Sequence, residues 1–513
     1  MSRNPPTEAP IGVVRGTEVH LPLDHARLGR IEATILDCCR RAGYDRLATP
    51  ILEPIELHER KSGAGIVGKL YPVQGTGPDR ACLRPELTAG IVRAYAACDP
   101  APALPWRVSH SGPAFRRESP GRPDRLREFH QVGVERLGDA GPYADAEVIG
   151  LACAALAAVG IDRPAIRVGH VGLILEILAR SGLPATVRTA LIETLSAAAA
   201  EGGDAGSLGR GLDHFEGWLR QAGAADEAGG PPEAAPDAGI DRLFRTLVPV
   251  VTGRRSGGEV VARLRRKWDL GRELLARLDL VRGQVRALAD LKGPPTAVLD
   301  RLARDFEAWA PDSVASLRTL FRSLADHGVA TDSIVLDLGL GRGIGFYSQM
   351  IFDLTAETPE GTVELGGGGR YDGLARAFGS DRDDRGAGFA FGLERIDQVL
   401  RARAGRGRGP DAADPPRAFL VIPATEAATA LAVGVAGRIR SEGARAILES
   451  GWAGASLSDR ARVLGARWSV VVRPSGRAGP GLTIHDHERG TEGEHGVDDL
   501  ARIVADRLRE VAR

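Results

Sequence analysis

Two stretches of this chain place acids, arginines, an amide and an aromatic ring at spacings that suit a polar binding floor. FRRES (115–119) and REFHQVGVE (127–135) carry Arg116, Glu118, Phe129, Gln131 and Glu135 on adjacent antiparallel strands. Side chains alternate along a strand, so Phe129, Gln131, Gly133 and Glu135 fall on one face. Acids, a Gln amide, Arg and an aromatic do not make a core. They make a sheet floor able to hold an amine-bearing substrate beside a phosphate-bearing one. Upstream, RPELT (84–88) sets Glu86 and Thr88 at the start of a helix. Taken singly, a charged strand position is most often a solvated face; the joint pattern is what points to a site.

Other motifs carry less. IVLDLGLGRGIG (334–345) has the outline of an S-adenosylmethionine or dinucleotide loop, a hydrophobic strand ending in an acid and a glycine-rich turn. Such a loop should open a helix, whereas FYSQMIFDLTAE continues as strand. His485 and His487, two apart in HDHE, fit a solvated strand face better than a metal pair. His20, His25 and His58 are scattered and read as structural or surface residues. The Arg runs at 263–267 and 404–408 read as solvated helix faces, because acids lie among them.

The elements that must position these residues follow from periodicity. Residues 23–43 form an amphipathic helix with Leu28, Ile31, Ile35 and Cys38/Cys39 on one stripe. Pro50 and Pro54 confine ATPILEP to an edge or interface strand. The link between the two polar strands is too short for a parallel crossover, so they form a hairpin. The expected organisation is a first core segment (1–165), an all-α insertion (166–330) and a second core segment (331–402). A linker (403–416) and a small α/β domain (417–513) follow. The stretch 224–239 inside the insertion is low in complexity and is expected to be a disordered loop.

Composition bounds the function. With 67 Lys+Arg against 67 Asp+Glu, bulk charge cannot hold this chain on nucleic acid, so any such contact must be local. Five cysteines without CxxC spacing exclude a disulfide framework and read as buried thiols in a reducing compartment. Neither a signal peptide nor a membrane span is evident, and a cytoplasmic location is expected.

RPELTAG, GPAFRRES with REFHQVGVERLG, LGRGIGFYSQMIFD, GGGGRYDGL and GFAFGLER occur in the order found in histidyl-tRNA synthetases and their paralogues. ATPILEP resembles the first motif of class II synthetases with Pro50 as its proline, FRRES to GVE the second, and GFAFGLER the third. GRGIGFY and GGRYDG resemble the two stretches that mark histidine specificity. The resemblance covers roughly 15–165 and 330–400, and more loosely 417–513. It implies an α+β fold: a class II antiparallel sheet with an all-α insertion and a C-terminal domain similar to anticodon-binding domains. It also implies a homodimer.

For chemistry, the resemblance implies activation of histidine by ATP, with Mg2+ bridging the phosphates, and transfer of histidine to tRNA. Arg116 and Arg342 would meet the α-phosphate, Arg395 the γ-phosphate, and Arg125 and Arg127 other phosphates. Phe129 would stack on adenine while Glu118 holds its amino group. Glu86, Gln131 and Thr88 would bind the α-amino group of histidine, with Glu135, Tyr371 and Tyr347 around its imidazole. The chain departs from the family where LDYY reads IGFY, so that Gly345 and Phe346 replace an acid and a tyrosine. Its motif 2 loop is also one residue longer than common forms, and its insertion is larger than typical. VGHVGLILEIL resembles archaeal-type synthetases and also the regulatory subunit of ATP phosphoribosyltransferase. That paralogue supplies the alternative function: a non-catalytic histidine sensor bound to the catalytic subunit of that enzyme.

Overall fold

The structure, a computed structural model, describes residues 11–62, 68–75, 79–117, 126–202, 210–215, 217, 272–340, 346–404, 418–449, 456–476 and 479–512. The stretch 224–239, the Arg run 263–267 and the linker from 405 onward lie outside these residues. The chain divides into two compact units, Met1–Arg403 and Ala404–Arg513.

The first unit begins with α1 (Pro22–Arg41), β1 (Asp45–Arg46), β2 (Leu52–Pro54), α2 (Ile55–Ser62), β3 (Tyr71–Val73), β4 (Ala81–Leu83) and α3 (Thr88–Ala97). The hairpin β5 (Trp106–Phe115) and β6 (Glu128–Leu137) leads to α4 (Pro142–Ala158), β7 (Ala165–His170), α5 (Val171–Arg180) and α6 (Ala185–Gly202). After α7 (Arg272–Ala289) come β8 (Lys292–Gly293), α8 (Pro295–Asp305), α9 (Pro311–Asp326) and β9 (Ile334–Asp337). The unit closes with β10 (Met350–Thr358), β11 (Gly361–Arg370), α10 (Leu374–Ala377), β12 (Gly386–Gly392) and α11 (Leu393–Ala404).

Nine strands form the main sheet in the order β1-β5-β6-β12-β11-β10-β7-β9-β8. From β5 through to β7 every neighbouring pair is antiparallel. Its two faces differ in kind. On one, Val132, Val134, Phe352, Leu354, Phe389 and Phe391 share a core with Leu28, Ile31 and Ile35 of α1 and Ile149 and Leu156 of α4. The opposite face of the same strands carries Gly133, Gly367, Gly369 and Gly388, by the alternation of the registers. Apolar bulk anchors the sheet from behind, and missing side chains leave its front open.

Residues 165–170 have the texture of the helical segment 166–330, yet they form β7 between β10 and β9. Ile166, Val168, Gly169 and His170 are buried in it, and so short an apolar run cannot be told from helix by periodicity. Helices α5 to α9 continue the same core, through Leu173, Ile177, Leu191, Val285 and Leu317. Cys98, expected to be buried, is exposed just after α3. Among the described residues no helix is long and apolar enough to cross a membrane.

The second unit contains β13 (Ala418–Pro423), α12 (Thr429–Ser441), β14 (Arg445–Leu448), α13 (Leu457–Val463), β15 (Ala466–Gly476), β16 (Gly479–Asp486), β17 (Thr491–Gly496) and α14 (Leu500–Ala512). Its sheet runs β14-β13-β15-β16-β17. Trp468 and Phe419 stack at 4.7 Å in a core completed by Val435, Ile439 and Val504. The buried Asp486 accepts from Trp468 Nε1 at 3.1 Å and from the backbone of Glu488 and Arg489. His485 pairs with Glu492 at 3.2 Å, and His487 Nε2 bonds Ser469 Oγ at 2.7 Å.

Candidate active site

The register of β6 sets the site. Glu135 lies opposite Gly388 of β12, where any Cβ would run into the Glu135 carboxylate. Glycine there is the condition for a buried acid on a sheet floor. Tyr371, just after β11, donates its hydroxyl to Glu135 Oε2 in a short bond, and both residues are 2% exposed. Burial and the adjoining carboxylate push the Tyr371 hydroxyl well above its usual range, so it stays a donor. Phe346 stacks on Tyr371 at 5.7 Å, and Tyr347 meets Phe346 edge-on at 4.6 Å. Tyr347 in turn lies against Gly369: a Cβ there would be 2.9 Å from its ring.

Tyr371 is held by its neighbours in the chain. Arg370, fully buried, donates to Asp145 Oδ1 at 2.8 Å, to Asp372 Oδ1 at 3.0 Å and to the Asp139 carbonyl at 2.9 Å. Asp372 also accepts from the Gly386 backbone at 3.0 Å, tying the turn after β11 to the start of β12.

At the start of α3, Glu86 accepts from the Ala89 backbone at 3.2 Å, with His58 Nδ1 3.7 Å from its carboxylate. Thr88 is the first residue of that helix and is half-buried. Gln131 stands opposite Gly112 on β5 and Gly392 on β12. Arg116 lies over the Phe129 ring at 5.1 Å and donates Nε to the Pro85 carbonyl at 3.0 Å. Arg127 is fixed by its backbone, which donates to Gly16 at 2.7 Å and accepts from Arg116 at 2.9 Å. Arg395 opens α11 and donates to the Glu364 carbonyl at 3.1 Å, its stem near Gly392. Beside it Glu394 accepts from the His130 backbone at 2.9 Å, and burial raises its carboxyl above the usual range.

Phe129, Gln131 and Glu135 thus lie in a row on β6. Arg116 and Glu86 flank one end and Tyr371 and Tyr347 the other, while Arg395 stands at the start of α11, just past Gly392 of β12. Glu118, Arg125, Arg342 and Gly345 lie outside the described residues. Periodicity alone overlooked Arg84, His110 and Arg370. Arg84 is buried and bonds the Pro113 and Thr49 carbonyls at 2.8 Å, in space that Gly112 leaves open. His110 lies opposite Gly133, which only the hairpin register reveals. Among the described residues no cluster of three or more His, Cys, Asp or Glu suits a metal ion.

An antiparallel sheet of this order, with a polar hairpin face backed by helices, is the class II aminoacyl-tRNA synthetase fold. Apo histidyl-tRNA synthetase of S. aureus superposes with a TM-score of 0.61 at 21% identity, over 96% of this chain and 99% of that one. The enzyme of Nostoc sp. PCC 7120 gives 0.62 at 17%, over 98% and 100%. A profile of the histidyl-tRNA synthetase family matches residues 16–206 and 230–396, and the chain belongs to that family. The histidine--tRNA ligase of Pyrococcus horikoshii is 26% identical over 97% of this chain and 99% of its own length. An ATP phosphoribosyltransferase regulatory subunit of Anaeromyxobacter sp. (strain K) is 30% identical, over 76% of this chain and 91% of its own.

Proposed function

We propose that this chain activates histidine with ATP and transfers it to tRNA. The observation that carries this reading is the layout of β6, which sets Phe129 beside Arg116 at one end and Glu135 beside Tyr371 at the other. In this reading one strand serves a purine and its phosphates at one end and an imidazole at the other. The Pyrococcus ligase supports it by matching nearly the whole chain. The regulatory relative falls short of the full chain by about a quarter, close to the size of the C-terminal unit.

In the proposed mechanism Glu86, Gln131 and Thr88 hold the α-amino group of histidine. Glu135 and Tyr371 hydrogen-bond its imidazole, and Tyr347 closes the pocket. The histidine carboxylate attacks the α-phosphate, forming the adenylate and releasing pyrophosphate. Arg116 bridges carboxylate and α-phosphate, and Arg342 offsets the charge that develops on phosphorus. Arg395 takes the γ-phosphate, Arg125 and Arg127 the remaining oxygens, and Glu118 the adenine amino group above Phe129. Planar guanidinium forks suit phosphate. Bound magnesium would neutralise phosphate charge. We further propose a homodimer acting in the cytoplasm.

A second reading draws on Phe346, an apolar ring stacked on Tyr371 where the family has a tyrosine. In it the chain senses histidine as a partner of the catalytic subunit of ATP phosphoribosyltransferase. Pyrophosphate exchange separates the two. The enzyme reading expects exchange only when histidine and ATP are both present. Tight histidine binding without exchange would overturn it in favour of the sensor.

A further inference from the structure

His110 sits in the middle of β5 directly opposite Gly133, on the face that carries Gln131 and Glu135. It is 1% exposed, and neither ring nitrogen has a hydrogen-bond partner. A buried polar side chain with both nitrogens unmet calls for an explanation. Its Nε2 lies 3.9 Å from Glu135 Oε1, about 1 Å beyond a hydrogen bond. The charged groups facing the ring are Glu86 ahead of α3, Arg84 after β4 and Glu135 on β6. Tyr371 faces the same carboxylate from the other side. Burial drives the His110 imidazole down to about 4, so near neutral pH it is uncharged and has one N–H to give.

We propose that His110 is a positioning residue for Glu135. When an imidazole-bearing amino acid enters, the carboxylate closes onto the His110 Nε2–H and is held to accept the ligand's ring N–H. Tyr371 fixes Oε2 and His110 fixes Oε1. Each carboxylate oxygen keeps a further lone pair, so the ligand meets an acceptor that can neither turn away nor take up a proton easily. The inference rests on the histidine reading of the pocket. To that reading it adds a residue that acts through another.

The test is calorimetric titration of histidine into the full chain, with wild type, His110→Phe and His110→Gln compared between pH 5.5 and 8. The Phe variant keeps the ring without its nitrogens and should bind about tenfold more weakly or worse, the scale of a lost hydrogen bond to a charged group. Gln retains an N–H donor and should recover part of the loss. The acid limb of the affinity profile should move to higher pH in the Phe variant, because ionised Glu135 has lost a donor. The ligand's own titration is common to all three. The thermal midpoint should not fall, since an apolar ring replaces unmet polar atoms; if Phe does not fold, His110→Ala is read the same way. A Phe variant with wild-type affinity and an unmoved profile overturns the proposal. Wild-type protein that binds no histidine overturns instead the pocket reading beneath it.

Discussion

Replacing Arg370 by Met tests the clamp behind Tyr371. The guanidinium is fully buried and Asp145 is 1% exposed, so the substitution strands a carboxylate with almost no water. The Asp139 carbonyl and Asp372 lose a donor at the same time. Breaking a buried pair from one side costs about 3–5 kcal/mol. At an m-value of about 3 kcal/mol per M, the urea midpoint of the first unit should fall by about 1 M or more. The loss should depend on pH with a definite sign. Burial already pushes Asp145 up to about 6 despite Arg370, and removing the cation moves it higher. A raised carboxyl is comfortable when protonated and loses stability as pH rises through its folded value. The variant should therefore lie closest to wild type near pH 5 and furthest at pH 8. The double variant Asp145→Leu with Arg370→Met should be more stable than the single one, because the stranded charge is gone. Urea titration followed by circular dichroism reads all three proteins. A single variant within about 1 kcal/mol of wild type at pH 8, or a double variant no better than the single, would refute the argument.

Three further expectations follow from the same geometry. Arg116→Ala should slow histidine-dependent pyrophosphate exchange by about 10²–10³-fold with an unchanged circular dichroism spectrum, because Arg116 packs on Phe129 at the rim and not in the core. His170, buried with both nitrogens unbonded, titrates near 4 in the fold against about 6.5 in the unfolded chain. Its contribution is full above pH 6.5 and declines toward pH 4 by up to about 3 kcal/mol, so in urea His170→Leu should show a shallower acid loss than wild type. Asp486→Ala removes the acceptor shared by Trp468 Nε1 and two backbone N–H groups. It should lower the stability of the C-terminal unit by about 2–3 kcal/mol, measured by urea titration of Trp emission.

The hairpin and the shared face of Phe129, Gln131 and Glu135 were legible because strand periodicity is local: one residue fixes the direction of the next but one. The helix α1 was legible for the same reason, its stripe of Leu28, Ile31 and Ile35 being buried as expected. Illegible were features that depend on partners far along the chain. Whether Glu135 can be buried depends on Gly388, and the role of His110 depends on which residue stands opposite it. Arg370 ends a glycine-rich strand, and nothing nearby announces Asp145 as its buried counter-ion. The strand β7 was lost in helical texture because six residues are too few for periodicity to separate strand from helix.

The pairing of Glu135 with Gly388 joins positions about 250 residues apart, while β5 and β6 pair at once through their own loop. At about 5–20 residues per second of synthesis, the hairpin waits roughly 10–50 s for β12. Throughout that interval one edge of β6 offers its backbone to any passing strand, with Val132 and Val134 beside it. The pocket is thus among the last features of the first unit to form on the ribosome, and its unfinished edge is the place where a nascent chain of this architecture most needs protection.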